Sequence, residues 1–381
     1  MSEHPSGPLF ECFQNLDDPR VVDLVRHKLL DIVAMTICAV ICGADGWTDV
    51  ATFGEAKESW LRSFLELPNG IPSHDTIGDV FARLDPDQFR ACFMDWVRMV
   101  FDLTEGQVVA VDGKTVRHSY DNRLGKNAIH MVNAWATDTS LALGQVKVDD
   151  KTNEITAIPE LLDMLELSGC IVTIDAMGCQ KEIAQKILDK DADYVLAVKD
   201  NQPTLREKIE QMFTDAEGID FAHTQHDIDS DIGKDHGRVE TRKCWVIDDS
   251  KYLFYIQGPD ERRWWPGLRS IVKIEATRRI GEKESTETRY YISSRGDSAK
   301  ALNATIRGHW GVENSLHWVL DIAFREDESR IRAGYAAENL AVVRQLALNL
   351  LKQEKTTKRG IRGKRLKAAL DTQYLLRVLA A

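Results

Sequence analysis

Long hydrophobic runs are missing from this sequence. The most apolar window, residues 29–42, is fourteen residues long and contains Asp31. That is too short to span a bilayer, and it lacks the flanks and cleavage site of a signal peptide; a buried core helix is the expectation. Cysteine is scarce: there are seven, an odd number, and no Cys-x-x-Cys pair occurs. A disulfide framework and a structural zinc site are therefore not expected, and the composition fits a reduced, cytoplasmic protein. Internal repeats and low-complexity segments are absent. So is an overall basic charge, since the net charge is −11. That argues mildly against nucleic acid as a partner, but the charge is unevenly spread. Residues 352–381 hold nine Lys/Arg against two acids, leaving about −18 on the remainder. This basic tail could neutralise phosphates or simply be solvated.

With 381 residues, the chain can bury a large core and form two or three domains. Residues 1–105 read as an all-helical N-terminal domain. Ser73 can cap a helix carrying Ile77, Val80, Phe81 and Leu84, and Asp85-Pro86 opens the next. The pair resembles a helix-turn-helix, but His74, Asp75, Asp79 and Arg83 are too weakly basic for DNA reading, and scaffold packing is favoured. From 107 the period changes. Residues 108–111, 129–137 and 141–148 read as successive strands, followed by a helix over 158–167. A strand at 171–175, a helix at 179–189, a strand at 194–198 and a helix at 203–215 come next. Three meandering strands and then strand–helix–strand–helix is the order of a ribonuclease-H-like mixed sheet with flanking helices, an α/β fold. This places a first part of the core at 106–216. A polar loop at 223–236 precedes strand-like runs at 239–247, 252–256, 270–277 and 288–292, a β-rich insertion over 217–297. Helices return at 298–307, 309–324 and 336–351, giving a last core segment 298–351 before the tail.

Three acids stand in distinctive settings. Asp112 ends the apolar run Val108-Val109-Ala110-Val111, Asp175 ends Ile171-Val172-Thr173-Ile174, and Glu313 lies in a helical stretch after the insertion. Alone, each strand-ending Asp reads as a turn cap. Together, two carboxylates on neighbouring strand ends and a third on a covering helix can meet at one point. Such a cluster repels itself unless cations lie between its members, and hard oxygen ligands select Mg2+, with Mn2+ able to substitute. Two such ions can clamp a phosphodiester, which points to phosphoryl transfer on nucleic acid.

The residues around these acids offer further candidates. Gly113 lets a ligand approach, and Lys114 is placed to face phosphate. His309, Glu313, His317 and Asp321 recur every four residues on one predicted helical face, with His309 and His317 facing phosphate or packing beside it. Zinc is disfavoured because His-Glu-x-x-His is missing. Arg238 and Arg242 alternate on one strand, as a phosphate-tracking edge or any exposed strand would. Arg262-Arg263-Trp264-Trp265 has the composition to stack on an extruded nucleotide.

Five motifs together resemble the ISAs1-type insertion-sequence transposases and the bacterial H-repeat-associated proteins. They are Val-Asp112-Gly-Lys-Thr, Ile-Asp175-Ala-Met-Gly-Cys-Gln, Ala-Val-Lys199-Asp-Asn-Gln, His236-Gly-Arg-Val-Glu-Thr-Arg and His309-Trp-Gly-Val-Glu313-Asn-Ser-Leu-His-Trp. The resemblance implies a DDE transposase of the IS4-like superfamily, with Asp112, Asp175 and Glu313 as the metal-binding catalytic triad for two Mg2+ ions. It implies double-stranded DNA (element ends and target) as partner, a homodimer or larger assembly in the DNA complex, and a nucleoid-associated state when bound. Lys114, Lys199, Arg238, Arg242, Arg307, His309 and His317 are the candidate DNA contacts. One departure stands out. The superfamily pattern Tyr-x2-Arg-x3-Glu-x6-Lys is replaced here by Ile306, His309 and Leu320 around Glu313. A nuclease without strand transfer and a non-catalytic descendant are the competing expectations.

Overall fold

The computed structural model describes residues 8–21, 25–101, 103–120, 127–148, 153–235, 238–260 and 264–381. Five helices come first: α1 (Pro8–Glu11), α2 (Leu29–Ile41), α3 (Trp47–Leu61), α4 (His74–Arg83) and α5 (Pro86–Val100). The expected caps are present. Ser73 Oγ accepts from the Thr76 amide, and Asp85 Oδ1 accepts from the amides of Asp87 and Gln88. The apolar window forms α2, of which every residue but Leu30 is buried. Strands β1 (Val108–Val116), β2 (Ile129–Ala136) and β3 (Leu141–Val148) follow, then α6 (Glu154–Met164), β4 (Ile171–Ile174), α7 (Lys181–Asp189), β5 (Asp193–Val198) and α8 (Pro203–Gly218). β1–β3 form an antiparallel meander, and β4 and β5 join it in parallel beyond β1. That is the ribonuclease-H-like arrangement.

The remaining strands extend the same sheet. β6 (His226–Asp235), β7 (Arg238–Ile247), β8 (Ser270–Ile280) and β9 (Lys283–Ser293) are antiparallel, with α9 (Ser250–Gln257) between β7 and β8. β9 pairs with β5, so one nine-stranded sheet runs β3-β2-β1-β4-β5-β9-β8-β7-β6. Two local expectations are corrected. Residues 226–235, read as loop, are an edge strand. Its Asp227, Asp229 and Asp231 bond one helix, α10 (Ala299–His309): Asp227 accepts from the Ala299 amide (2.7 Å), Asp229 from Asn303 (2.9 Å), and Asp231 pairs with Arg307. A strand whose inward face is aspartate carries no hydrophobic alternation. Residues 252–256, read as strand from their aromatic content, lie in α9, which Asp249 caps by accepting from the Lys251 amide at 2.9 Å.

Beyond α10 come a π-helical turn at Glu313–His317, α11 (Trp318–Phe324), α12 (Ala336–Gln353), α13 (Ile361–Leu370) and α14 (Thr372–Leu379). α12 is buried along nearly its whole length and packs against α2, α4 and α5 on one side and β3 on the other. Its Asn339 donates to the carbonyls of Phe81 and Leu84 (both 2.9 Å). Asn349 exchanges bonds with Ala142 of β3 (2.9 and 2.8 Å). The N-terminal helices and the sheet therefore share one core, and α4 and α5 pack against α12. The basic tail folds too: Lys364 and Arg365 are buried and donate to backbone carbonyls, including Leu351 and Val40. Among the described residues no helix is long and apolar enough to cross a membrane.

Candidate active site

Register brings the first two acids together. Val111 of β1 lies opposite Ile174 of β4 in the last pair of their parallel ladder. Asp112, which lies within β1 because that strand runs on to Val116 along β2, and Asp175, which follows β4, thus stand side by side at the end of this parallel ladder, roughly 4.8 Å apart in the pairing direction. Asp175 Oδ1 accepts from the Met177 amide at 3.0 Å, so it does cap a turn. Asp112 is pushed up to about 7 by burial, then by the charges of Asp175 and Glu313. Asp175 is raised by burial and then by Glu154, against the Met177 amide and Lys199. Asp112 is therefore the member that feels both of the other predicted acids.

Glu313 is exposed and opens the π turn, in which the Trp318 amide donates to the Glu313 carbonyl. A π turn inserts a residue into the helical repeat and recurs at functional sites. Here it breaks the predicted stripe: Glu313 faces solvent, while His317, four residues on, is buried. Lys352 of α12 donates to the Ser315 carbonyl inside the turn (3.0 Å) and lies over the Trp135 ring at 4.2 Å. Burial pushes the Lys352 ammonium down to about 7.

Four of the candidate DNA contacts are corrected by their surroundings. Lys114 is buried, its ammonium 2.6 Å from both Asp321 and Glu326, and Glu326 also pairs with Arg344 at 3.6 Å. This internal network joins β1 to α11 and α12 and leaves Lys114 nothing for phosphate. His317 is buried with Nδ1 3.6 Å from Asp112, and burial drives it down to about 4. His309 is likewise driven down to about 4 by burial and contacts Thr173 Oγ1 at 3.0 Å. Both rings are neutral at physiological pH, so neither offers a cation. Arg242 lies on an interior strand rather than an exposed edge. It is buried, donating from Nε to Asn303 Oδ1 at 2.6 Å, while its Nη2 has no hydrogen-bond partner.

The other candidates keep their access. Lys199 is exposed at the end of β5 and lines a cavity of about 220 Å³ with Asp175, His309 and Trp310. Arg307 is exposed and paired with Asp231. For Arg238 only its place at the start of β7 is described; His236, Gly237, Arg262 and Arg263 lie outside the described residues. Trp265 is buried and Trp264 donates to the Gly258 carbonyl at 2.8 Å, so neither tryptophan is a free stacking wedge.

A fourth acid went unnoticed in the sequence. Asn153 caps α6, accepting from the Ile155 amide at 3.0 Å, and so starts that helix at Glu154 rather than at Ile158. Glu154 Oε1 lies 2.6 Å from His130 Nε2 on β2. The donor set at this site is carboxylate oxygen throughout, the ligand type that suits a hard divalent cation, and Asp112 and Asp175 are both raised by burial and then by acidic neighbours. Among the described residues no three His, Cys, Asp or Glu stand close enough to ligate one ion together.

Residues 103–350 match the family described as "Transposase DDE domain", and residues 10–97 match the "DDE_Tnp_1-associated" family. The chain belongs to the DDE transposase family. The H repeat-associated protein YhhI of Escherichia coli K12 is 43% identical over 376 residues, covering 98% of this chain and 97% of that protein. YbfL of the same strain has the same identity and coverage. A shorter relative, the inactive transposase YbfQ of that strain, is 45% identical over 75 residues, 20% of this chain and 89% of its own length. A piggyBac transposase in a synaptic complex with hairpin DNA, solved by cryo-EM, aligns over 98% of this chain and 78% of that one. Its TM-score is 0.41 and its identity 12%, too loose a likeness to bear on the site. The H-repeat-type membership expected from the five motifs of this DDE-family chain is thus met.

Proposed function

We propose that this DDE-family chain cuts DNA at the terminal inverted repeats of its element and joins the freed end to target DNA. The observation that carries the reading is the side-by-side placement of Asp112 and Asp175 at the end of the β1–β4 parallel ladder, with Asp112 also feeling the charge of Glu313. Asp112 would be the shared ligand, with Asp175 on one side and Glu313 on the other. Bound Mg2+ would activate the attacking oxygen and stabilise the leaving one. The protein's part is to hold charge in place. β1 and β4 fix two carboxylates, the Lys352-held π turn presents the third, and neutral His317 stands beside Asp112 without competing as a cation.

A cleft of about 540 Å³ runs from Glu313 and Asn314 along β7–β9 and is lined by Arg242, Arg278, Arg289 and Arg307. Arg289 stacks on Trp310 at 4.4 Å. We assign the DNA strand leading from the cut to this cleft, with Lys199 on the Asp175 side. Two element ends must meet in one complex, so the DNA-bound form is a dimer or larger.

Asp112→Asn, Asp175→Asn and Glu313→Gln should each abolish Mg2+-dependent strand cleavage while DNA binding persists. Cleavage surviving in any one of them removes that residue from the site. Cleavage without joined product in a target-joining assay would reduce the chain to a nuclease.

A further inference from the structure

The basic tail divides in two when it folds. Lys364 and Arg365 turn inward and are buried, and Lys367 donates to Thr357 Oγ1 at 2.8 Å. Lys355, Lys358, Arg359 and Arg362 stay exposed, and among the described residues none of the four has a hydrogen-bond or ion-pair partner. Residues 355–362 thus present four cations and no acid, in a chain whose net charge is −11. Exposed cations on the N-terminal helices behave differently: Lys28 pairs with Glu66, Arg62 with Glu58, Arg83 with Asp79 and Arg98 with Asp95. Like charges strung along one turn repel and favour a loose chain. Here buried groups fix the turn from beneath. Glu354 accepts from the Thr356 amide at 2.8 Å and from the Tyr374 hydroxyl at 2.7 Å. Lys364 donates to the Leu351 carbonyl at 2.8 Å and also to the Glu354 carbonyl.

The turn lies close to the candidate active site. Lys352, three residues before Lys355, donates to the Ser315 carbonyl in the π turn that opens at Glu313 (3.0 Å). α13, which carries Arg362, packs on α11, the helix that continues from that π turn. We propose that residues 355–362 hold the sugar–phosphate backbone of a DNA duplex beside the site of cleavage. This rests on the functional reading above and adds a second contact surface to the cleft along β7–β9. A polyanion is the ligand that unpaired cations on a fixed turn suit, and holding the turn in advance lowers the ordering cost of binding. Cations that meet phosphate alone set the register of a duplex and carry no sequence information. The contact is therefore the same for element end and target.

The test is an anisotropy titration of a fluorescent DNA duplex of arbitrary sequence with the full-length protein, repeated from about 50 to 200 mM salt. Each phosphate contact contributes about 0.9 to the slope of log affinity against log salt. Lys355→Gln, Lys358→Gln, Arg359→Gln and Arg362→Gln combined should flatten that slope by about 3 to 4 and weaken binding at least about tenfold at the lowest salt. A second duplex of unrelated sequence should show the same loss. A matched variant combining Lys28→Gln, Arg62→Gln, Arg83→Gln and Arg98→Gln removes equal charge from paired positions and should bind like wild type. All the altered side chains are exposed, so both variants should melt near the wild-type temperature. An unchanged slope in the first variant, or an equal loss in the matched one, would overturn the inference and leave the functional reading standing. Wild-type protein that binds no duplex would overturn both.

Discussion

Two acidic clusters flank residue 113 of β1, and their partners differ completely. On one side, Asp321 and Glu326 are met by Lys114 and Arg344, and Glu326, though fully buried, is held below the usual carboxylate range: burial opposes this, but the charges of Lys114 and Arg344 outweigh it. On the other side, no Lys or Arg among the described residues stands within ion-pair distance of Asp112, Asp175 or Glu154, whose near neighbours are the rings of His317 and His130, and Asp112 is pushed up to about 7. The same residue types, a few ångströms apart along one strand, thus serve opposite ends. Where the fold supplies its own cations the acids are structural. Where it withholds them, the function proposed above has them await a cation from outside.

The largest effect should come from stripping the compensated cluster. Glu326→Gln leaves Lys114 and Arg344 facing each other in the interior, and losing one partner of a buried pair costs about 3–5 kcal/mol. Urea unfolding should show it; a loss below about 1 kcal/mol would mean the network is solvated.

The uncompensated cluster should respond with the opposite sign. An acid whose folded pKa is raised stabilises the fold only while protonated. Its contribution is full below the unfolded value near 3.8 and is lost as pH rises through about 7. In metal-free protein, Asp112→Asn should therefore be more stable than wild type at pH 8, by up to about 4 kcal/mol, and equal to it near pH 3. His309 and His317, both lowered, act in the reverse direction, so the comparison of variant with wild type at each pH isolates Asp112. Added Mg2+ should close the gap at pH 8. A gap that is constant with pH would show that Asp112 does not titrate there.

Next comes Lys352→Met, which leaves the Ser315 carbonyl of the π turn without its donor. That should cost about 1–3 kcal/mol and weaken the Mn2+ site that uses Glu313, leaving Asp112→Asn-sensitive binding in place. Smallest of all is Arg83→Ala, which removes an exposed i,i+4 pair with Asp79. A change within about 0.5 kcal/mol is expected, a baseline against which the two clusters can be judged.

Much of this was legible in the residues. Apolar runs ending in Asp112 and Asp175 marked two buried strands, because a buried parallel strand must be hydrophobic on both faces, although β1 runs on past Asp112 to Val116 as it pairs with β2. The meander and the strand–helix alternation were legible for the same reason. Lys114 misled because a lysine two residues from a candidate ligand suggests phosphate, whereas its partners lie 207 and 212 residues away in sequence. The stripe from His309 to Asp321 assumed 3.6 residues per turn, and periodicity carries no sign of a π insertion. β6 was hidden because its inward face is aspartate bonded to α10. Glu154 was hidden because the apolar residues placed the helix from Ile158, whereas Asn153 caps it so that it begins four residues earlier, at Glu154.

The most direct measurement is an anomalous difference map from crystals soaked in Mn2+. It should show one peak between Asp112 and Asp175 and a second between Asp112 and Glu313. Manganese bound elsewhere, or no peak touching Asp112, would contradict the account.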